Sequence, residues 1–302
     1  MIDTTACIRI HDVTKRFGAV TAVDALDLSV PTGSLIGFLG PNGAGKSTTI
    51  RMIMSIIYAD AGRVEVLGRS ALDAKDRIGY LPEERGLYRR MRVKDFLRYI
   101  GQLKGLSKSD ALEAALRWLE RLELPEAFTR RCEELSKGQQ QKIQFAASVL
   151  HEPELLVLDE PFSGLDPVNA ALLSHIIQEL HADGRTIVFS THVLHQAEQL
   201  CDRIFLIDQG RKLLDDQLDS IREQFREPII EVDTQDGVQV PQLDGIRQET
   251  QENGLVMLHC DPQVNVRDVM KQVVSAIPIR SIAQRQPTLE EIFTRLVAGE
   301  AT

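Results

Sequence analysis

The first part of the chain shows two successive patterns of apolar and polar residues. Residues 7–14 and 22–30 alternate between apolar and polar positions, which is the period of a strand with one buried face. Residues 34–40 form a short apolar run that leads through a glycine-rich turn into residues 46–57, where apolar side chains recur at helical spacing. The sequence therefore predicts an antiparallel β layer, then a buried strand, a loop and a helix.

The pattern changes between residues 87 and 134, where apolar side chains recur as on one face of an amphipathic helix. The residues on this predicted face are Leu112, Ala115, Leu116, Leu119 and Leu122. We interpret this region, over about residues 87–150, as an inserted helical subdomain.

Strands and helices alternate again after the insertion. Apolar runs at 155–161, 186–191 and 203–208 are separated by helical patterns at 167–182 and 193–201. This alternation predicts a mostly parallel sheet covered by helices, and hence an α/β domain over residues 1–225.

A weaker pattern follows residue 225. Candidate strands at 228–233, 254–260 and 279–284 are accompanied by candidate helices at 266–277 and 288–298. We predict a small α+β accessory domain over residues 226–302.

Composition and charge narrow the class of protein. The chain has 302 residues, 43% of them hydrophobic, and a formal net charge of −9, which argues against a nucleic-acid-binding protein. It has no apolar run of the ~18 residues needed to cross a bilayer, so we expect a cytoplasmic protein. Its 4 cysteines are scattered, which favours reduced thiols over a metal site.

The segment "GPNGAGKST" matches a phosphate-binding loop and stands between a predicted strand and a predicted helix. Its glycines would let backbone N–H groups wrap phosphates, while Lys46 would face the β and γ phosphates and Ser47 would offer its hydroxyl to Mg²⁺. The alternative is a turn that only joins strand to helix. The predicted nucleotide-binding residues here are Gly40, Pro41, Asn42, Gly43, Ala44, Gly45, Lys46, Ser47 and Thr48, and Lys46 is also predicted to be catalytic.

Two carboxylates end the apolar run "LLVLDEP", where burial without cationic partners would be costly. Asp159 suits Mg²⁺, directly or through water, and Glu160 is our predicted catalytic base for the water that attacks a γ-phosphate. Alternatively, both acids only cap the following helix.

Five motifs occur in order along the chain, "GPNGAGKST", "LSKGQ", "LLVLDEP", "SGLD" and "STH". In this order they resemble the ATP-binding-cassette (ABC) ATPase family, over about residues 7–225. The resemblance implies the P-loop NTPase fold of these proteins, with ATP and Mg²⁺ as cofactors and ATP hydrolysis as the activity.

The resemblance also implies a head-to-tail dimer in which each ATP lies between the phosphate loop of one chain and the "LSKGQ" of the other. Ser136 and Gly138 would contact the γ-phosphate of the partner's nucleotide. Because the chain carries one set of motifs, the partner would be a second copy or a related ABC ATPase.

Three further positions receive roles from the resemblance. Phe17 would stack on adenine, unless it is a core aromatic of the β layer. Asp166 would lie at the dimer seam, unless it is a plain turn carboxylate. His192 would contact the γ-phosphate or position the attacking water.

Two positions depart from the family pattern. Glu83 stands where the family usually has a glutamine that senses Mg²⁺, and an ionised carboxylate accepts hydrogen bonds or coordinates Mg²⁺ but does not donate. Our hypothesis is that Glu83 still reaches the metal or the attacking water. Lys137 stands where the motif more often has glycine, and its charge would add to the phosphate site or, as we favour, face solvent.

The segments "GYLPEERGLY" and "PTLEEIFTRLVAGE" resemble ATP-binding subunits of the type-2 ABC exporters, including those for sodium and for antibiotics. This implies a peripheral subunit on the cytoplasmic face of the inner or plasma membrane, driving a separate integral membrane permease, with no nucleic acid expected as a partner. The alternative is a non-transport ABC ATPase that acts on ribosomes or nucleic acid.

A basic segment follows Glu83. It would pair with the permease or with lipid headgroups, or form a solvated face, through Arg89, Arg90, Arg92 and Lys94. No residue specifies the cargo.

Overall fold

The computed structural model describes residues 6–84, 86–234, 238–252 and 254–298. The chain divides into two compact units, Met1–Leu218 and Asp219–Thr302.

The first unit begins with a three-stranded antiparallel layer. Strand β1 (Ala6–Phe17) pairs with β2 (Val20–Pro31) on one side and with β4 (Ala61–Val66) on the other. The inward residues of β1, such as Ile8, are buried, as the alternating pattern predicts. Strand β4 has no such pattern, since only Val66 in it is fully buried.

A six-stranded sheet forms the centre of this unit, in the order β5-β6-β7-β3-β8-β9. All neighbours are parallel except β8 and β9. The strands are β3 (Leu35–Leu39), β5 (Ile78–Leu81), β6 (Leu155–Asp159), β7 (Thr186–Thr191), β8 (Arg203–Asp208) and β9 (Arg211–Gln217). Because parallel strands end at one edge, the loops after β3, β6 and β7 meet there.

Helices accompany this sheet, and three of them, α2 to α4, follow one another between β5 and β6. The helices up to the end of the unit are α1 (Lys46–Ile53), α2 (Val93–Leu103), α3 (Lys108–Arg121), α4 (Lys137–Val149), α5 (Pro167–Ala182), α6 (Leu194–Leu200) and α7 (Leu218–Gln224), the last of which runs across the boundary. The predicted α/β class, with its antiparallel first layer and inserted helices, is confirmed by this architecture.

Helix α1 is shorter than predicted. It ends at Ile53 instead of residue 57, because Ser55 adopts a left-handed conformation (φ 53°). The Ile56 N–H then donates to the Arg51 carbonyl at 2.9 Å, and the Ser55 N–H donates to the Met52 carbonyl at 3.0 Å. These two bonds satisfy the last carbonyls of the helix and stop it.

The predicted face of α3 is buried at Ala115, Leu119 and Leu122 but not at Leu116. Leu116 is 44% exposed, whereas Trp118 is buried and packs edge-on against Phe145 with ring centroids 6.2 Å apart. The buried side of the helix therefore includes Trp118 beside the predicted Ala115 and Leu119. The prediction was wrong at Leu116.

The second unit contains a four-stranded antiparallel sheet in the order β11-β12-β10-β13. Its elements are β10 (Ile229–Thr234), β11 (Ile246–Glu252), β12 (Leu255–Cys260), α8 (Val266–Ala276), β13 (Ile279–Gln284) and α9 (Leu289–Ala298). Ile230, Leu258 and Val269 lie in its core. Over the parts of both units that the structure describes, no helix has the length and apolarity needed to cross a bilayer.

Candidate active site

The phosphate-loop segment follows β3 and is seated tightly against neighbouring backbone. Gly40 has φ 153°, and a methyl group there would lie 2.1 Å from the Ile207 carbonyl oxygen. Gly45 has φ 105°, and a methyl group there would lie 2.6 Å from the Ala22 carbonyl oxygen. Both positions therefore require glycine.

The start of α1 has the features of an anion site. Gly45 caps this helix without a side-chain hydrogen bond, and the first turn carries no acidic residue. A methyl group at Gly43 would meet no heavy atom within 4 Å, so the loop is open on that side. Exposed backbone N–H groups at a helix start favour a bound anion such as a phosphate. The loop therefore fits a nucleotide.

Lys46 is buried, and its Nζ donates to the carbonyl oxygens of Gly40 and Pro41 at 2.7 and 3.0 Å. Burial lowers the pKa of this ammonium group, while the negative charges of Glu160, Asp159 and Glu83 act to raise it. The lysine thus interacts electrostatically with all three predicted carboxylates of the site.

A cavity of about 300 Å³ lies between the phosphate loop, the start of α1 and the segments that carry Glu83 and Glu160. Its lining residues are Ala22, Asn42, Gly43, Gly45, Lys46, Ser47, Thr48, Glu83 and Glu160. Ala22, on β2, was not predicted, and a small side chain in a strand gives no signal for this role. A larger cavity of about 500 Å³ lies in the second unit, but no predicted site residue lines it.

Asp159 ends β6 and is 2% exposed. The Ser190 hydroxyl donates to its Oδ1, and the Ser47 hydroxyl also bonds to the carboxylate. Burial raises the pKa of Asp159, the Glu83 and Glu160 charges raise it further, and the two hydroxyls lower it.

Hydroxyl and carboxylate oxygens are ligands that Mg²⁺ prefers. Among the described residues, no group of three or more His, Cys, Asp or Glu side chains forms a complete metal cage. Ser47 and Asp159 therefore fit a Mg²⁺ ion that takes its remaining ligands from phosphates and water.

Ser190, on β7, is the first residue of the "STH" motif, and the sequence predicted no role for it in the site. It is fully buried, donates to Asp159, and its Oγ accepts from the Glu160 N–H at 3.2 Å. The register pairs Asp159 with Ser190 across the parallel sheet, and this tertiary pairing is invisible in the sequence.

Replacing Ser190 by alanine is expected to move the acidic limb of the ATPase pH profile to higher pH. The Ser190 hydrogen bond lowers the pKa of Asp159, so its loss raises that pKa. Asp159 then becomes protonated at a higher pH, and the carboxylate is lost earlier on acidification. ATPase rates across pH for Ser190→Ala test this, with Ser148→Ala as control, since Ser148 is also buried but donates to the Phe145 carbonyl at 2.7 Å. An unshifted acidic limb contradicts the assignment.

Glu160 follows directly after β6 in a left-handed conformation (φ 49°). Its Oε1 lies 2.8 Å from His192 Nδ1 and accepts from the His192 backbone N–H at 3.1 Å. In this contact the Nδ1–H tautomer of His192 would donate to the carboxylate. The structure thus brings the predicted catalytic base and His192 together beside the phosphate loop.

Glu83 lines the cavity from the segment after β5. We expect Glu83→Gln to raise the Mg²⁺ concentration for half-maximal ATPase activity about threefold, because one negative charge near Lys46 and Asp159 is removed in a solvent-accessible site. Glu84→Gln is the matched control, since the exposed neighbouring side chain does not line the cavity. Unchanged rates and Mg²⁺ dependence for Glu83→Gln would remove Glu83 from the site.

Ser136 and Gly138 do not line the cavity. Ser136 caps α4: its Oγ accepts from the Gln139 N–H at 3.2 Å, while Gln139 Oε1 accepts from the Ser136 N–H at 3.0 Å. Asp166 caps α5, where Oδ1 accepts from the Asn169 N–H at 2.9 Å, and hydrogen bonding lowers its pKa. Ser136, Gly138 and Asp166 therefore lie outside the cavity beside the phosphate loop of their own chain.

Phe17 ends β1 and is 51% exposed, so it is not a core aromatic. Lys15 Nζ lies 5.4 Å from its ring centroid. An exposed ring is available for stacking.

Two family models match this chain. One, described as ABC transporter, matches residues 23–163, and the other, described as the C-terminal domain of DrrA1-3-like ATP-binding proteins, matches residues 217–297.

Several curated relatives match nearly the whole chain. The uncharacterized ABC transporter ATP-binding protein YhaQ of Bacillus subtilis is 39% identical over 97% of this chain and 99% of its own. The daunorubicin resistance ATP-binding protein DrrA3 of Streptomyces coeruleorubidus is 32% identical over 99% and 98%. The Nod factor export ATP-binding protein I of a Rhizobium species is 34% identical over 97% of both chains.

Solved structures give the same fold. A structure described as an ATP-binding subunit of an ABC transporter is 30% identical, with a TM-score of 0.68 over 72% of this chain and 93% of that one. The dimeric bacterial cassette MJ0796 has a TM-score of 0.65 at 24% identity, over 70% of this chain and 98% of that one. These matches confirm the predicted family. The chain is an ATP-binding protein of the ABC transporter family.

Proposed function

We propose that this chain is the ATP-binding and hydrolysing subunit of an ABC exporter. The observation that carries the ATPase assignment is the convergence of Lys46, Ser47 and Glu160 on one cavity beside the phosphate loop, with the buried Asp159 carboxylate bonded to Ser47. The exporter assignment is supported by the names of DrrA3 and the Nod factor protein, which concern resistance and export. The cargo is set by another subunit.

The residues in and next to the cavity divide the chemistry of hydrolysis among them. Backbone N–H groups of the loop and Lys46 hold the phosphates, and Ser47 and Asp159 hold a Mg²⁺ ion. Bound Mg²⁺ would neutralise charge that develops on the phosphate oxygens. Glu160 accepts the proton of the attacking water, and His192 fixes the direction of the Glu160 carboxylate through two hydrogen bonds.

The functional unit we propose is a head-to-tail dimer. Ser136 and Gly138 lie at the start of α4, outside the cavity of their own chain. A helix start suits the γ-phosphate of a nucleotide held by a second chain. ATP would thus close two cassettes by adding contacts to both, and hydrolysis would release them.

An exposed aromatic group supports docking of a membrane permease. Tyr88 packs edge-on against Phe96 and Tyr99, with ring centroids 6.1 and 5.8 Å apart. Tyr88 and Tyr99 are 52% and 40% exposed, and Leu103 on α2 is 59% exposed. An apolar patch of this kind suits a short amphipathic helix of the permease.

We place the chain at the cytoplasmic face of the membrane. In this proposal residues 1–225 form the nucleotide-binding domain, with its helical part near 87–150, and residues 226–302 form an accessory domain.

Affinity purification of the chain from native membranes in mild detergent tests the transport role. Recovery of a polytopic membrane protein in stoichiometric amount is the expected result. Recovery of ribosomal or DNA-bound proteins, with the chain absent from membranes, would support a non-transport ATPase instead.

A further inference from the structure

A buried glutamine of α4 reaches the backbone of the predicted catalytic base. Gln141 is 2% exposed, and its Nε2 donates to the Pro161 carbonyl oxygen at 3.0 Å. The same nitrogen lies 3.5 Å from the Glu160 carbonyl oxygen, at the outer limit of a hydrogen bond. Pro161 is itself buried, so its carbonyl depends on a protein donor.

The backbone at Glu160 needs such support. A non-glycine residue at φ 49° is strained, and it persists only where its surroundings fix it. The N–H side of Glu160 is fixed by the Ser190 carbonyl, which accepts at 3.1 Å. Its carbonyl side accepts from the Ser163 N–H at 3.1 Å, and the Gln141 amide fixes the next carbonyl.

The first turn of α4 contacts the same loop farther along. A methyl group at Gly138 would lie 3.5 Å from the Gly164 carbonyl oxygen and from a Leu165 methyl group. Helix α4 therefore touches the loop after Glu160 at two places, one turn apart on the helix. Ser136, at the start of this helix, is the residue proposed to face the partner's nucleotide.

We propose that Gln141 is a positioning residue that holds the strained Glu160 backbone through the Pro161 carbonyl and thereby links α4 to the catalytic carboxylate. The inference rests on the proposed function. It gives α4 a role in hydrolysis within its own chain, in addition to the proposed contact of its first turn with the partner's nucleotide.

Gln141→Met in the full chain removes the donor but keeps the length of the side chain. We expect kcat to fall about tenfold while the Kd for Mg-ATP changes by less than about twofold, because only the Glu160 geometry is disturbed. Gln140→Met is the matched control. Gln140 is the preceding residue, and its amide donates to the Cys132 and Leu135 carbonyls at 3.2 and 3.1 Å without reaching the Glu160 loop.

A double substitution separates positioning from general destabilisation. If Gln141 acts through Glu160, Gln141→Met should not lower the residual single-turnover rate of Glu160→Gln any further. A tenfold drop in both backgrounds would overturn the inference. So would a wild-type kcat in Gln141→Met.

Gln141→Glu keeps the shape of the side chain if the methionine variant does not fold. A buried glutamate donates to the Pro161 carbonyl only when protonated, and burial raises its pKa. The ratio of its rate to the wild-type rate should therefore rise as the pH is lowered from about 9 to about 6. A ratio that stays flat contradicts the inference. If the wild-type chain neither binds nor hydrolyses Mg-ATP, the proposed function itself fails, whereas an active wild type with unaffected Gln141 variants removes only the inference.

Discussion

Glu160→Gln is expected to lower the ATPase rate by at least about a hundredfold while leaving ATP binding intact. The amide has the size of the carboxylate and still accepts from the His192 backbone N–H, but it does not take a proton from water. The hydrogen bonds that fix the Glu160 backbone, to the Ser190 carbonyl and from the Ser163 N–H, do not involve the substituted group. The local fold should therefore persist.

The measurement pairs steady-state hydrolysis with light scattering after gel filtration. Because hydrolysis is the step proposed to separate the dimer, Mg-ATP should accumulate the variant as a dimer, either of itself or with its related partner. Glu154→Gln is a suitable control, since Glu154 lies before the opposite end of the same strand, paired with Arg77 at 2.6 Å. A rate within about twofold of wild type would exclude Glu160 as the base.

A mixture of two inactive variants is expected to recover hydrolysis. Lys46→Ala removes the buried ammonium group of the phosphate loop, and Gly138→Asp places a negative charge where the partner's γ-phosphate is proposed to lie. Each variant alone should lose at least about a hundredfold in rate, because every site in its homodimer is damaged. In a mixed dimer, one site combines an intact phosphate loop with an intact α4 start.

Equal mixing should restore about a quarter of the wild-type rate, because half of the dimers are mixed and half of their sites are intact. Gly138 tolerates a side chain, since a methyl group there would meet its neighbours no closer than 3.5 Å, and an acidic residue stabilises a helix start. A mixture no more active than its components would argue against composite sites in a dimer of this chain. Lys137→Asp, at the exposed neighbouring position, controls for added charge.

The parts of the site that the sequence predicts are those set by local geometry. The phosphate-loop glycines adopt conformations that only glycine takes easily, so one short segment of sequence predicts the loop. Asp159 and Glu160 are conspicuous because they end a continuous apolar run. The order of strands and helices likewise predicted the α/β class, because hydrophobic periodicity is local.

The parts that the sequence does not predict depend on distant pairing. Ser190 acquires its role from the register between β6 and β7, and Gln141 from the packing of α4 against the loop after Glu160. The sequence does not predict strand β11, because its residues are largely polar and lie at the edge of a sheet. In each case the residue type is ordinary, and only its neighbours in space make it informative.

The tight seating of Gly40 and Gly45 has a consequence for how the nucleotide is captured. Their backbone rests against the carbonyls of Ile207 and Ala22, so contacts within the protein set the shape of the cradle. A segment held by such contacts loses little conformational entropy when it binds phosphate. Affinity at this loop is therefore decided by the strength of the new contacts, because the segment does not have to fold as the nucleotide binds.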